Sequence, residues 1–548
     1  MPRSHTSPIL QAPRMLVAAT LLGFALAAQA QGAPPPTTAP APTPSAEAPL
    51  PPPPPGTGEV RRAIYVPESV KAQLRDEIRK EVLEQARQEG WAAPNLVPRW
   101  LQRFRLSGDV RTRFDRAMFP SGNASDGEFP DFAAIDASAP FDVNFVDVSG
   151  EKYLNVDQSR NRPRIRARLA VDVDVAPGVV SGVRVVSGEN GSPVSANQTL
   201  GGSGGGFSKY PLWLDRAFIR LGGTGPRSGL ALDVGRFANP FFATEMIWSD
   251  SLSFDGAAVS GRAALGSSLS LFATGGAFPA YTSGLAFPVE RTAKFTSTNK
   301  WLFGGQGGLE WRTPGDLVLK VAGALYDFYK VEGKSSGPCD TNLKNVTCDT
   351  DETRPSFAQK GNTYFPIRTP SDAALAAEAL GSASRYQWFG LASSFREVVG
   401  TARVEVPVGA LRIAGDAEYV WNAGFEKDKV AALALNNRGS CNATACGPYE
   451  GGGRGYIGRI TFGSKVQDVR WSWSAGATYR RLESDAVVDA FDDADFGLGG
   501  TNLEGYTLTA TLGLADGTVL TGRWMSADAI AGPPYRVDVY QIDLTARF

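Results

Sequence analysis

Histidine is almost absent from this sequence of 548 residues, because His5 is the only one. We interpret the segment that contains it as an export signal, so the exported chain would have none. Catalysis by Ser-His-Asp or Cys-His groups and most zinc sites need histidine. We therefore predict that the protein is not an enzyme and has no metal site and no cofactor, although carboxylate or lysine chemistry stays open.

Long apolar runs are also lacking. After residue 30 no stretch of about 18 apolar residues occurs, so the sequence predicts no membrane-spanning helix. The apolar segment 15–27 follows Arg3 and Arg14 and precedes a small-residue site at 28–30. This pattern predicts a signal peptide over residues 1–30 that is cleaved near Ala30, with an uncleaved anchor helix as the alternative.

Neither sign of charge dominates the chain. Residues 1–30 contain two arginines and no acidic residue, which leaves 53 basic and 56 acidic residues in the rest. Surfaces that bind nucleic acid are strongly basic, so we expect no nucleic-acid partner.

Cysteine is scarce, and its four copies form two close pairs, Cys339/Cys348 and Cys441/Cys446. An exported chain meets oxidising conditions, in which such pairs form disulfides. We therefore predict two disulfides that staple loops. Metal ligation is the alternative, but the spacings do not match a zinc knuckle and no histidine assists.

From residue 104 to the C-terminus, apolar and polar side chains alternate with a period of two, which is typical of strands. In the segment 301–312, Trp301 and Trp311 lie on the same face. In a tilted strand their separation spans roughly 25 Å along the membrane normal, the distance between the two aromatic girdles of an outer-membrane barrel. A soluble β-sandwich also alternates, but glycine and alanine seldom fill so many of its core positions.

The lengths of the connections support the same fold. We predict strands that begin near residues 104, 164, 179, 211, 229, 252, 268, 300, 316, 397, 410, 455, 468, 503, 517 and 535. Short turns and long loops alternate between them, as in the barrels of bacterial outer membranes. We therefore predict an all-β fold, a transmembrane antiparallel β-barrel of about 16 strands (14–18) over residues 104–548, in the outer membrane of a Gram-negative bacterium.

The final strand carries a further signal. Its apolar face consists of Tyr540, Ile542, Leu544, Ala546 and Phe548. An alternating last strand with a terminal phenylalanine resembles the signal by which outer-membrane barrels are recognised for insertion. We expect it to bind the barrel-assembly machinery, and we expect the barrel to contact outer-membrane lipid and lipopolysaccharide.

Two segments precede the predicted barrel. Residues 31–58 are rich in proline and predict an extended periplasmic linker. Residues 66–103 predict a periplasmic α-helix. Its apolar stripe consists of Val70, Leu74, Ile78 and Val82. The stripe favours a short coiled coil between protomers or a docking helix, and a simple cover for the barrel mouth is an equally open interpretation.

The charged residues of the first two strands are in phase. One face of the first strand has Arg105, Asp109, Arg111 and Arg113, and one face of the second has Arg164, Arg166, Arg168, Asp172 and Asp174. Arginine at a lipid-facing position costs about 2–4 kcal/mol at mid-membrane, so we predict that these faces line the lumen. We hypothesise a basic wall that attracts anions. The alternative is that these arginines pair with acids and only stiffen the lumen.

Several motifs resemble those of the "putative porin" family of Gram-negative outer membranes. The segments VPESVKAQLRDEIRKEV and EGWAAP are similar to its N-terminal part. NQTLGG (197–202), LDRAF (214–218), GRFANPF (235–241) and FDG (254–256) are similar to its mid-barrel motifs, and SDAVVDAF, DADFGLGGTN and QIDLTARF to its closing strands. The resemblance covers about residues 67–548 and implies a channel, but it carries over no functional residues and does not include the cysteines.

Two loops carry further candidates. The loop 238–251 is rich in aromatics, and in general porins the loop at this place folds inward and narrows the pore. By that analogy we predict Glu245 and Asp250 as constriction residues. The segment 484–501 holds five aspartates. We interpret it as a solvated acidic loop, with Ca²⁺ binding as the alternative.

Together, these patterns predict a passive diffusion pore for small hydrophilic solutes with an anion preference. One alternative is a substrate-selective channel for an oligosaccharide or an anionic solute. A second is a plugged structural or adhesive barrel that anchors the outer membrane to a periplasmic partner. A homotrimer is a further expectation.

Overall fold

The computed structural model describes residues 101–124, 127–150, 152–189, 191–202, 204–225, 228–284, 298–439 and 446–548. The predicted signal peptide, the linker and residues 66–100 of the predicted helix lie outside the described residues. The described chain begins with a short 3₁₀ turn, Leu101–Arg103, and passes at once into the first strand.

Sixteen long strands form one sheet, and we number them β1 to β16 in chain order. Their bounds are β1 Phe104–Met118, β2 Arg160–Ala176, β3 Val179–Ser187, β4 Leu212–Gly223, β5 Gly229–Ala238, β6 Ser253–Ala264, β7 Leu269–Tyr281, β8 Lys300–Arg312, β9 Val318–Tyr329, β10 Phe395–Val408, β11 Leu411–Asn422, β12 Arg454–Ser464, β13 Trp473–Leu482, β14 Leu503–Ala515, β15 Thr518–Ala529 and β16 Arg536–Arg547. Each strand pairs antiparallel with the next in sequence.

The sheet closes into a barrel because β1 pairs on both of its edges. On one side Asp109 lies opposite Arg168 of β2, and on the other it lies opposite Arg547 of β16. Two backbone hydrogen bonds complete the seam, since the Gly108 N–H donates to the Phe548 carbonyl (2.9 Å) and the Phe548 N–H donates to the Gly108 carbonyl (3.1 Å). The prediction of an antiparallel barrel of about 16 strands is confirmed.

The predicted strand starts differ from the structure mainly before β13. The sequence predicts a strand from near residue 468, but β13 begins at Trp473. Asp468 and Trp471 have φ values of 60° and 65°, and such left-handed backbone belongs to turns. The aromatic Trp471 is in phase with β13, which is why the alternation pattern extends into the turn.

Side chains alternate between the two faces of the sheet as the sequence predicts. On β1, Phe114 is 48% exposed on the outer face, whereas its neighbour Asp115 is 1% exposed on the inner face. On β8, Phe303 and Trp311 are exposed while Gln306 is buried. Because an outer face in lipid must be apolar, this alternation directs the charged residues to the inside of the barrel.

The long loops carry the remaining short elements. The helices are Phe132–Asp136, Asp372–Glu378 and Lys427–Leu433, and the 3₁₀ turns are Val148–Gly150, Asp351–Thr353 and Phe496–Leu498. The short strands are Phe141–Asp142, Gln198–Thr199, Pro338–Cys339, Tyr364–Pro366, Thr369–Pro370, Tyr386–Gln387 and Phe389–Leu391. Phe141–Asp142 pairs with Tyr386–Gln387, so the loops after β1 and β9 are joined. None of the helices in the described part of the chain has the length and apolar character that a membrane-spanning helix requires.

The loop after β9 contains the first predicted disulfide, Cys339–Cys348. Cys446, which precedes β12, is disulfide-bonded as well, and Cys441 lies outside the described residues. Cys339, Cys348 and Cys446 all belong to long loops, as expected from the alternation of short and long connections.

Loops from the same end of the barrel pack together, and their buried apolar side chains contribute to the larger of two hydrophobic clusters in the described part of the chain. Trp248 of the loop after β5 contacts Tyr326 of β9 and Phe491 of the loop after β13, with ring centroids 5.1 and 6.1 Å apart. Phe132 of the loop after β1 stacks on Tyr364 of the loop after β9 at 4.4 Å. This larger cluster belongs to the side of the barrel formed by β5 to β13.

We predict that Gly108→Ala weakens the barrel seam. A Cβ atom at residue 108 would lie 2.5 Å from the Arg168 carbonyl oxygen and 2.7 Å from the Phe548 ring. Since the carbonyl belongs to the ladder, we expect a loss of about 1–3 kcal/mol in the free energy of unfolding, measured by denaturant titration in detergent micelles. Gly305→Ala is the matched control, because a Cβ there meets no atom within 4 Å. Equal effects of the two substitutions would contradict the prediction.

Candidate functional site

The inner faces of β1 and β2 form a continuous row of cations that we call the arginine ladder. It consists of Arg105, Arg111, Arg113, Arg162, Arg164, Arg166 and Arg168. The strand register places Arg111 directly opposite Arg166, and Arg113 directly opposite Arg164. Like charges in such positions repel each other, so the ladder needs acids between its members.

Aspartates of the same two strands supply part of this compensation. Asp109 accepts from Arg166 at 2.7 Å and from Arg168 at 2.5 Å. Asp115 lies 3.3 Å from both Arg162 and Arg164. Each of these two carboxylates therefore links two arginines of β2 to β1.

At the short-turn end of the barrel the ladder has separate partners. Arg105 donates to Asp174 at 2.6 Å, and its position in the register is opposite Asp172. Arg105 and Asp174 are about half exposed, so this pair is weaker than the buried ones.

A loop joins the ladder at its middle. Arg113 donates to Asp543 of β16 and to Asp495 of the loop after β13, each at 2.7 Å, and Asp495 also lies 3.4 Å from Arg523 of β15. Burial raises the pKa of Asp495, but the nearby Arg113 and Arg523 lower it more, so this pKa falls below its ordinary value. Asp495 is therefore held as a charged bridge between the loop and the barrel wall.

The loop after β5 folds across the inside of the barrel. The Phe242 N–H donates to the Gln306 side chain of β8 (2.8 Å), and the Gln306 amide donates back to the Phe242 carbonyl (2.7 Å). The Thr244 N–H donates to Glu418 of β11 (3.0 Å). Glu245 forms an ion pair with Arg459 of β12. These bonds fix the loop to three strands that lie away from the ladder.

Between this loop and the ladder lies a polar cavity of about 360 Å³. Its charged lining residues are Arg111, Arg166, Arg459, Arg523, Glu245, Asp250, Asp493 and Asp495. Asp250 faces this cavity inside the barrel, where the surrounding protein limits the solvation of its carboxylate, and this together with the charge of Glu245 raises its pKa. Cations and carboxylates are equal in number here, so the cavity has a transverse field rather than a net charge.

A second polar cavity of about 280 Å³ continues toward the long loops and includes Arg162 and Arg164 in its lining. The two cavities have five lining residues in common. These are Val194, Ser195, Asn197, Ala494 and Asp495. Asn197 accepts from Arg111 at 2.5 Å, so the wall that the two cavities share is anchored to the ladder. The two adjoining cavities follow the arginine ladder, and we refer to them together as the polar passage.

The structure brings some predicted residues together and separates others. Glu245 and Asp250 both line the first cavity together with Arg111 and Arg166. Glu245 also forms an ion pair with Arg459 on another wall, a partner that the sequence does not predict. The members of the predicted set that lie outside both cavities are Arg105, Asp109, Arg113, Arg168, Asp172 and Asp174.

Sequence reasoning also missed several residues of the passage. Arg162 and Asp115 continue the alternation of β2 and β1 by one further step, so the pattern could have identified them. Arg459 and Arg523 are inward-facing on later strands and were also accessible to this reasoning. Asn197 and Asp495 reach the passage only because their loops fold inward, and no local sequence signal reports that.

The interpretation of segment 484–501 as a solvated acidic loop is wrong. Asp485, Asp489 and Asp492 are each at most 1% exposed. Asp485 accepts from the Thr363 hydroxyl (2.5 Å) and the Tyr449 hydroxyl (2.8 Å), and Asp492 accepts from Arg480 of β13 (2.9 Å). These donors replace water, and two of them, Thr363 and Tyr449, come from other loops of the chain. Among the described residues, no group of three or more His, Cys, Asp or Glu side chains is arranged to hold a metal ion.

Comparison with known proteins gives one family and several distant structures. A family model described as "Putative porin" matches residues 12–548. Solved structures similar to this chain include OprB of Pseudomonas putida at high pH (11% identity, 82% of this chain and 94% of that chain, TM-score 0.42), OmpF of Salmonella typhi in complex with daunomycin (8%, 81% and 97%, 0.36) and the outer membrane channel DcaP of Acinetobacter baumannii (10%, 81% and 97%, 0.34). These scores are too low to support an argument. No curated protein matches the chain.

We predict that the inward-folded segment 484–501 loses stability as the pH rises. Burial raises the pKa of Asp489 to about 7 and that of Asp493 to about 6. Because unfolded aspartate titrates near 3.9, the folded segment binds protons more tightly, and this stability is lost between about pH 4 and pH 7. Burial also lowers the pKa of the neighbouring Lys360 to about 7, which acts in the opposite direction only above that pH.

The measurement is hydrogen exchange of segment 484–501 at pH 5 and pH 7, corrected for intrinsic rates. We expect stronger protection at pH 5. Asp489→Asn is the isosteric comparison, since the amide can still accept from the Tyr364 hydroxyl but does not titrate. Its protection should depend less on pH than that of the original chain. Stronger protection at pH 7 in the original chain would refute the assignment.

Proposed function

Because the chain belongs to the putative porin family, we propose that it is a passive channel for small hydrophilic solutes with a preference for anions. The family and the closed barrel both support an outer-membrane channel. The observation that carries the finer proposal is the pair of adjoining polar cavities along the arginine ladder. A barrel of about this strand number encloses an aqueous lumen, so function depends on what lines it.

The lining favours many small solutes over one specific ligand. Away from its charged residues, the first cavity is lined by short hydroxyl side chains of β12, β13 and β14. These are Thr461, Ser474, Thr478, Thr507 and Thr509. Scattered hydroxyl groups offer weak hydrogen bonds to any hydrophilic solute that passes. Selective sites instead combine an apolar surface with a few polar groups that fix one orientation.

The anion preference follows from the uneven charge of β1 and β2. Their inner faces carry the seven arginines of the ladder but only four aspartates, Asp109, Asp115, Asp172 and Asp174. Asp543 of β16 and Asp495 of the loop after β13 each offset one further cation. The remaining positive potential is focused by the low-dielectric barrel wall and raises the local concentration of anions.

The proposed setting follows from the sequence as well as from the fold. We expect export with cleavage near Ala30, insertion by the barrel-assembly machinery through β16, and an outer face in contact with lipid and lipopolysaccharide. The exposed apolar side chains of the outer face fit such an environment. A homotrimer remains part of the proposal.

The test of the channel is liposome swelling with sugars of increasing size, combined with planar-bilayer recording of the purified protein. We expect swelling that slows with sugar size and stepwise conductance without block by a particular solute. Absence of swelling would indicate the alternative of a plugged structural barrel. The hydrophobic cluster formed by the long loops is the part of the structure that would form such a plug. Block by one oligosaccharide or anion at low concentration would indicate a substrate-selective channel.

We predict that Arg111→Ser shifts the reversal potential in a salt gradient toward that of a cation-preferring pore. Arg111 lines the first cavity, and its removal leaves Asp543 paired with Arg113. We expect the anion-to-cation permeability ratio to fall by about two-fold, which corresponds to about 0.4 kcal/mol of lost attraction across water-filled space.

Arg262→Ser is the matched control for this substitution. Arg262 forms an ion pair with Glu310, and Glu310 also lies 3.4 Å from Arg312. Arg262→Ser therefore removes one cation, as Arg111→Ser does, and Glu310 still has a cationic partner. Arg262 lines neither polar cavity. An equal shift from both variants, or no shift from Arg111→Ser, would show that the ladder is structural and does not set selectivity.

A further inference from the structure

A third cavity of about 340 Å³ lies among the long loops and differs in character from the polar passage. Its walls come from the loop after β1, from residues 360–361 and 435–438, and from the loop-side ends of β14 and β15. It has no lining residue in common with the two polar cavities. The cavity is therefore separate from the route that we propose for solutes.

The lining of this cavity is dominated by aromatic rings. These are Phe129, Phe132, Phe141, Phe145, Tyr153, Phe389 and Tyr535. Several already contact each other edge to face, including Phe129 with Tyr535 (6.1 Å) and Phe141 with Tyr153 (5.8 Å). Rings held in this way present both faces and edges to the cavity, which is the geometry that aromatic ligands prefer.

The polar side chains of the lining already have partners within the protein. The Asn437 amide donates to the Gly361 carbonyl (2.9 Å), and the Asn502 amide donates to the Ala531 carbonyl (2.8 Å). Lys360 donates to the Gly497 carbonyl (2.8 Å), and Arg438 donates to the Ala434 carbonyl (2.8 Å). A sugar needs many hydrogen-bond partners, so this lining disfavours a carbohydrate.

The size and the opening of the cavity define the ligand further. An apolar cavity of about 150 Å³ is sufficient for benzene, so a volume of about 340 Å³ accommodates two fused rings. Phe145 and Leu435 are both partly exposed at the rim, 52% and 44% respectively. A molecule arriving from the long-loop end can therefore reach the cavity.

We propose that this cavity is a binding site for a neutral, two-ring aromatic molecule, held mainly by ring contacts and by burial of apolar surface. The site is distinct from the channel and does not depend on conduction. Burial of a ring system against several aromatic side chains supplies the affinity, and no polar group of the ligand has to be matched.

The test uses the full-length protein in lipid nanodiscs with a fluorinated 2-naphthol as the probe and a fluorinated glucose as the comparison. Fluorine NMR line broadening reports binding of each. We expect saturable broadening of the naphthol probe, which excess naphthalene reverses, and no broadening of the sugar. Broadening of the sugar alone, or reversal by a short fatty acid but not by naphthalene, would overturn the proposal.

Two variants fill the cavity from different walls. Ala529→Trp acts at the loop-side end of β15, and Leu435→Trp acts at the rim. Each should weaken probe binding by about ten-fold. Ala376→Trp is the control, because Ala376 is exposed on the helix Asp372–Glu378 and does not line the cavity. Line broadening that remains in the two filled variants reports the probe that has partitioned into the lipid of the nanodisc. Binding equal to that of the control in both filled variants, with unchanged thermal unfolding, would refute the site.

Discussion

The structure depends on the need to satisfy backbone hydrogen bonds in hydrocarbon. Lipid offers no partner for the N–H and C=O groups of a strand, so the sheet must close on itself. β1 meets this need by pairing with β2 on one edge and β16 on the other, and the terminal Phe548 completes the seam at Gly108. Closure also decides where most charges go, because alternate side chains face lipid and the arginines of the ladder then have only the interior.

Enclosing so many cations on two adjacent strands makes an electrostatic problem that the chain solves with parts far apart in sequence. Asp109 and Asp115 separate neighbouring arginines, Asp543 approaches from the last strand, and Asp495 comes from a loop. The ion pairs of Asp495 hold the loop after β13 inside the barrel, and the same residue lines both polar cavities. Stability and passage cannot be altered independently at these residues.

The sequence alone indicates the strands well and the loops poorly, for a physical reason. A strand between lipid and a polar interior must alternate apolar and polar side chains, so the local sequence predicts its length and the face on which each residue lies. The inward orientation of Arg166 and Asp109 can therefore be predicted from their sequence neighbours. The position of Asp485 depends on donors such as Thr363 and Tyr449, which are distant in the chain. The local sequence of an aspartate-rich segment is therefore the same whether its carboxylates are hydrated or accept hydrogen bonds from buried hydroxyl groups. Glu245 shows the same limit, since its partner Arg459 lies seven strands later.

The joined loops after β1 and β9 also determine the surface at the long-loop end of the barrel. Residues 141–142 and 386–387 pair as strands, and Asp147 contacts both Lys344 and Tyr386. This surface is therefore discontinuous in sequence, because it is assembled from segments more than 200 residues apart. An antibody that binds this surface would recognise a conformational epitope, which a peptide with the sequence of either loop alone does not reproduce.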